Sequence, residues 1–338
     1  MALTVQFFDG FDSLTAAQIT RKWSDASNLS SFVAGRVNGN CAVFNHGTSS
    51  YLESSAFTPA ATWVMSFALY ITAHSSASEF LEIKDGLSNV HLILKIDASR
   101  RLQLLHGTGS TIETGTAVLA LNTWYSIQIK FTIHDTTGNY NVVINSVQDF
   151  EGTNADTRNA GNATVDRFRF KQPDGSSFQY RLDDVAVGTS SDTTNSTDLI
   201  GDVHVHTSAP NGAGNATQWT PTTTNYQDVD DTTPDDDSSY VASQTPGHDD
   251  LYAFTNLSIQ GNIVAVGLQI VHKIDDTGSR TMKALCRSGG VTTEQGSTIT
   301  PTTSYGATQV VLQNDPNTSS PWDLTDLNAA EFGVRLKT

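Results

Sequence analysis

The chain has 338 residues and a formal net charge of −16, with 19 Lys and Arg against 35 Asp and Glu. That balance argues against a nucleic-acid-binding face, which needs clustered cations to neutralise phosphates, and no apolar run approaches the roughly 20 residues of a membrane-crossing helix. Only 16% of residues are charged; Thr, Ser, Asn, Asp and Gly fill the gap, a mix that suits short strands and turns and is poor in helix formers.

In chain order, residues 1–12 show no basic region ahead of an apolar stretch, so no signal peptide is expected. A short helix is predicted over Leu14–Lys22. Strand then follows strand: Trp63–Ile71, His91–Ile96, Arg101–Leu105, Trp124–Ile133, Asn139–Asn145, Val165–Lys171 and Tyr180–Val187, most of them alternating apolar and polar residues. Turns at Asp85-Gly86, Thr137-Gly138-Asn139 and Asp174-Gly175 separate them. Strands at this spacing, with no helical period between them, predict a sandwich or jelly roll over residues 1–190. Trp63 and Trp124 lie in strongly apolar strands and are assigned to its core.

Residues 189–198 are polar and unpatterned, and the linker is set at 191–200. The second domain, 201–338, has strand candidates at Gly201–His206, Gly261–Lys273, Thr281–Arg287, Gly306–Leu312 and Phe332–Leu336, room for about seven strands and again a sandwich. The fold class is therefore all-β, two jelly-roll-like β-sandwich domains in tandem. Residues 208–251 carry a run of acids and no core pattern; a stretch of that length inside a domain is expected to be an ordered arm or a subunit contact. The sequence closes on Trp322, a polar helical turn over Asp323–Ala330, and a strand, Glu331–Leu336, that puts Phe332, Val334 and Leu336 on one face.

Chemistry is sparse. Cys41 and Cys286 fall in different domains and read as two buried thiols. There is no Gly-x-Ser-x-Gly elbow. The nearest approach to a glycosidase acid set is Glu79, Glu82 and Asp85, but residues three apart on a regular strand face opposite ways. His204 and His206 share a strand face at a zinc-compatible spacing without a visible third ligand. Trp219 and Tyr226, in the polar arm, are the candidate exposed rings for a ligand.

Two resemblances follow from particular residues. The opening Phe8-Asp9-Gly10-Phe11-Asp12 with Trp23, the central Asn122–Phe131 with its hairpin to Val142–Asn145, and the closing Arg181–Gly188 together resemble the concanavalin A-like, laminin-G-like sandwich. In several lectin-like sandwiches a structural calcium ties the first strand to the last. The resemblance therefore implies such an ion at Asp9, Asp12, Asp183 and Asp184, with no other cofactor required. From Trp219-Thr-Pro221, Asn225-Tyr226, Val229–Asp237, Tyr240-Val241, Asp250–Tyr252, Arg287–Gly290 and Trp322–Leu336, the second half resembles structural proteins of tailed-bacteriophage virions. That likeness implies a non-enzymatic tail or capsid-decoration protein, found in the virion and assembled in the host cytoplasm. It would be a homo-oligomer, with a trimer the commonest form in phage appendages, and would touch neighbouring virion proteins. On that reading the acids Asp228, Asp230, Asp231, Asp235, Asp236 and Asp237 dock on a basic partner surface. The alternative is an adhesin whose first domain holds a host-surface carbohydrate, and a polysaccharide hydrolase ranks third.

Overall fold

The computed structural model describes residues 3–338 except 30, 31, 38, 46–48, 87, 174–176, 195–197 and 277. The predicted Asp174-Gly175 turn and part of the predicted linker lie outside the described residues. The chain is nearly all β and forms two compact units, residues 1–206 and 207–338.

In the first unit the strands are β1 (Leu3–Asp9), β2 (Asp25–Ser27), β3 (Val33–Ala34), β4 (Asn40–Phe44), β5 (Ser50–Glu53), β6 (Thr62–Ala73), β7 (Ser78–Asp85), β8 (Asn89–Ile96), β9 (Leu102–His106), β10 (Thr111–Thr114), β11 (Trp124–Thr132), β12 (Gly138–Ile144), β13 (Val147–Ala155), β14 (Arg167–Gln172) and β15 (Gln179–Ser190). One sheet runs β13-β12-β11-β6-β15-β4-β3, with β1 also on β15; the other runs β10-β9-β8-β7-β14-β5-β2. Their inner faces meet ring to ring. Trp63 of β6 lies edge-on to Phe168 of β14 at 5.1 Å, and Phe67 meets Phe170 at 5.3 Å. Each such fully buried ring stabilises the fold by roughly 1.5–3 kcal/mol. This is a β-sandwich, as the strand pattern predicts. The expected helix over Leu14–Lys22 is instead a set of turns with one 3-10 turn, Ile19–Arg21. Thr15 donates from its N–H and its hydroxyl to the Gln18 side chain, a capping-type contact at the start of these turns.

The 12-residue β15 changes partners along its length. Its first half pairs with β4, its second half with β1, and β6 runs along its other side. The register shifts between Asp183 and Ala186, and Asp184 adopts φ +51°. A bulge thus sits where the two partner strands diverge.

The first unit also keeps residues 198–206. Gly201–His206, predicted as the opening strand of the second domain, forms no strand and pairs with none among the described residues. The Ser66 hydroxyl donates to the Gly201 carbonyl at 2.8 Å, Gly201 N–H to Gln128 Oε1 at 2.9 Å, and Val205 N–H to Asp184 Oδ1 at 2.8 Å. Gly201 and Val205 are thus anchored on the first domain, and the division between the two compact units falls after His206.

In the second unit the strands are β16 (Pro210–Thr217), β17 (Thr220–Pro221), β18 (Val241–Ala242), β19 (Asp249–Phe254), β20 (Val266–His272), β21 (Met282–Ser288), β22 (Val291–Ile299), β23 (Gly306–Leu312) and β24 (Glu331–Leu336). A five-stranded sheet, β16-β19-β24-β21-β22, shares one core with the β20–β23 pair: Met282, Ala284, Cys286, Phe332 and Val334 meet Ile270, Val310 and Leu312. The closing strand β24 is central in its sheet, with Phe332, Val334 and Leu336 buried as predicted. Helix α1 (Leu324–Ala329) precedes it, capped by the Asp323 side chain, which accepts the Asp326 N–H at 2.8 Å. The 208–251 stretch contributes the edge strand β16, the β17–β18 pair and the first residues of β19. Cys41 and Cys286 are buried and free, and burial pushes each thiol up to about 12.

Candidate functional site

On β11 the residues Ile127, Ile129 and Phe131 are buried in the sandwich core. Period two therefore sends Trp124, Ser126, Gln128 and Lys130 to the opposite face of the sheet. Trp124 lies directly across from Tyr70 of β6, Tyr70 across from Arg181 of β15, and Arg181 across from Val43 of β4. These four half-buried side chains form one rung over four strands. The Trp124 and Tyr70 rings stand 5.1 Å apart at 51°, and the Arg181 guanidinium lies 5.1 Å from the Tyr70 centroid. Among the described residues, the Trp124 indole N–H, the Tyr70 hydroxyl and the Arg181 guanidinium have no hydrogen-bond partner, and Arg181 has no ion pair. Ser126, next along β11 on this face, has a buried hydroxyl that is also without a partner there. The assignment of Trp124 to the core is corrected, whereas Trp63 is fully buried as expected. The parity against Ile127, Ile129 and Phe131 was the signal that separates the two.

The same face is met by Thr193, Asp198 and Gly201 of the chain beyond β15. Lys130, 1% exposed, is ion-paired with Asp198, which the Ser190 hydroxyl also bonds; the Asn139 amide and the Thr132 hydroxyl reach the Thr193 carbonyl. These bonds fall on the Thr132, Lys130, Gln128 and Ser66 positions, and none falls on Trp124, Tyr70 or Arg181.

The four carboxylates expected to share calcium are split. Asp9 is committed elsewhere: it accepts the Phe11 N–H at 3.1 Å and the Trp23 indole N–H at 2.7 Å, and pairs with Lys22 at 2.9 Å. Asp12 accepts the Asn40 N–H at 2.6 Å. Asp183 accepts the backbone N–H groups of Arg36 and Asp184, at 2.7 and 2.8 Å. Asp184 holds Val205 N–H and lies 3.6 Å from the Arg36 guanidinium and 3.3 Å from His204 Nδ1. Burial, with Asp184 and then Asp12 nearby, pushes the Asp183 carboxyl up to about 7; burial raises Asp184 as well. Asp12, Asp183 and Asp184 are therefore neighbours, held by backbone amides and cations. Among the described residues no group of three or more His, Cys, Asp or Glu is set to hold a metal ion.

The remaining candidates serve the protein's own loops. Trp219 packs against the second core, and its indole N–H donates to the His248 carbonyl at 3.2 Å, so it is not a free ring. Tyr226 is half-buried in the 3-10 turn Asn225–Asp228. Asp228 is 3% exposed and gathers Thr222, Thr223 and Thr224. Burial opposes its charge, but those hydrogen bonds prevail and draw it down to about 2. Asp237 pairs with Lys273 and accepts the Tyr305 hydroxyl at 2.9 Å, pinning the acidic run to the second domain itself. Asp231 and Asp235 bond Ser239, and Asp230 and Asp236 are half-buried. Glu79 and Glu82 both accept from Lys171 Nζ, at 3.0 and 2.5 Å: a register shift between Glu79 and Leu81 turns them to one side, contrary to the regular-strand expectation, and the lysine bridges the two.

No family model and no curated protein matches the chain. Among solved structures it is similar to an endo-β-1,4-glucuronan lyase from the fungus Trichoderma reesei, with 13% identity, 55% of this chain and 96% of that one covered, and a TM-score of 0.43. It is similar also to domain 4 of AbnA, a GH43 extracellular arabinanase from Geobacillus stearothermophilus, in complex with arabinotriose (14% identity, 56% and 94% covered, TM-score 0.42). A third is the carbohydrate-binding module CBM66 from Bacillus subtilis (10% identity, 49% and 94% covered, TM-score 0.34). These three are carbohydrate-active or carbohydrate-binding proteins.

Proposed function

We propose that the first domain is a carbohydrate-binding sandwich, a binding module and not an enzyme, whose ligand lies across Trp124, Tyr70 and Arg181. One observation carries this reading. Three half-buried side chains with polar tips stand in a single rung, and their indole N–H, hydroxyl and guanidinium are unspent among the described residues. Donors left unspent by the fold at a half-buried surface are satisfied by water, which a ligand carrying matching acceptors can displace. A saccharide supplies both complements, an apolar C–H face for the rings and hydroxyl oxygens for the donors. The acids nearest on this face, Asp183 and Asp184, are buried and hold backbone amides, which favours binding over hydrolysis.

The phage resemblance of the second half extends the reading: the module would be a host-surface adhesin on a virion, with residues 207–338 making the neighbour and oligomer contacts. Location, partners and oligomeric state rest on that resemblance.

A glycan array with the purified protein tests the core of the proposal. Specific binding that disappears in Trp124→Ala and Tyr70→Ala, with unchanged thermal midpoints, is the expected result. An array with no specific signal, or variants that bind as well as the parent, overturns it.

A further inference from the structure

The rung contains a cation in a chain rich in acids. Elsewhere in the first domain most buried and half-buried basic side chains are matched to carboxylates, Lys95 and Arg100 being exceptions among the described residues. Lys22 pairs with Asp9, Arg36 with Asp202, Lys84 and Arg169 with Glu53, Lys130 with Asp198, and Lys171 with Glu79 and Glu82. Arg181 has no such partner among the described residues, although 35 acids are present against 19 Lys and Arg. The acid closest in register is Asp183, two residues on and on the same face, and its two oxygens already accept backbone N–H groups. What holds Arg181 is the Tyr70 ring beneath it. A cation–π contact with the ring leaves the guanidinium N–H groups available, and a guanidinium can receive a planar anion in two parallel hydrogen bonds.

We infer that the saccharide bound here is anionic, with a uronate-type carboxylate or a sulfate ester on Arg181 and a sugar ring on Trp124. The two residues are two strand spacings apart, roughly 9.5 Å, the span of a disaccharide. The inference rests on the carbohydrate-binding reading and adds the class of ligand. It makes Arg181 the specificity determinant and Trp124 the general sugar platform.

Calorimetric titration separates the two claims. The probes are an oligogalacturonate, which carries carboxylates only, a carrageenan oligosaccharide, which carries sulfates only, and neutral cello-oligosaccharides. They are titrated into the parent protein, Arg181→Gln, Arg181→Lys and Trp124→Ala. The expected result is binding of an acidic probe that weakens about 10-fold to 100-fold in Arg181→Gln, less in Arg181→Lys, and falls with added salt in the parent protein. The probe preferred, carboxylate or sulfate, identifies the anion. The salt series needs no variant and stands even if a substitution fails to fold. Neutral probes binding as tightly as acidic ones, with no salt dependence and no effect of Arg181→Gln, overturn the anionic assignment and leave carbohydrate binding intact. If no probe binds and the glycan array is also blank, both readings fall.

Discussion

Lys22 Nζ stands 2.9 Å from Asp9 Oδ1, both side chains are about 5% exposed, and the other Asp9 oxygen takes the Trp23 indole N–H. This buried pair joins β1 to the turn region that follows it. It also explains why Asp9 does not join Asp12, Asp183 and Asp184. Asp9→Ala leaves the Lys22 charge buried and uncompensated, so a loss of about 3–5 kcal/mol is expected in thermal or denaturant unfolding. The loss is expected to be the same with and without a calcium chelator. A parent midpoint that drops on chelation would return the carboxylates to a cation site.

Lys130 anchors Asp198, and with it the chain leading to Gly201, from an almost fully buried position. Lys130→Met keeps the stem and removes the charge. The expected result is faster limited proteolysis within 190–206 and faster exchange at the Gly201 and Val205 amides, which Gln128 and Asp184 now hold. Unchanged protection would mean the segment is kept in place without the ion pair.

Asp183 gives the first domain a defined pH response. Burial, reinforced by Asp184, raises its carboxyl from 3.8 to about 7, and Asp184 moves the same way. The folded chain then holds the proton more tightly than the unfolded chain. The contribution to stability therefore falls as pH rises from about 4 to about 7 and is constant above. The midpoint of Asp183→Asn relative to the parent is expected to climb through that window and level off. A difference independent of pH would refute the assignment.

Gly289 and Gly290 turn β21 into β22 with φ of +55° and +83°. A Cβ on Gly289 would also meet the Asn317 amide at 2.2 Å. Gly289→Ala is expected to cost the second domain about 1–3 kcal/mol, from left-handed strain together with displacement of that side chain. Denaturant unfolding of the second domain reads it directly. The Arg287–Gly290 stretch, part of the phage-like pattern, thus has a sufficient cause in hairpin geometry.

Much of the fold was legible because strand signals are local. Trp63–Ile71, Trp124–Ile133 and Glu331–Leu336 announce themselves by alternation, and each appears within a residue or two of its predicted bounds. Where a strand buries little on either face the signal vanishes. The edge strand Pro210–Thr217 is built from Pro, Asn, Gly, Ala and Thr, and Val291–Ile299 is mostly polar and exposed, so neither was foreseen. Gly201–His206 shows the opposite failure: it alternates like a strand but spends its polar groups on side chains of the first sheet.

The candidate site was the least legible part. Sequence alone determined which residues of each strand share a face, and that already separates Trp124 from its buried neighbours. It could not align Trp124 with Tyr70 and Arg181, which lie far apart in the chain. That alignment depends on the register of β11 on β6 and of β6 on β15, and on the bulge at Asp183–Ala186 that lets β15 serve β4 and β1 in turn. Alternation is a property of one strand. Register is settled by long-range pairing and packing, and the rung exists only once three strands have met.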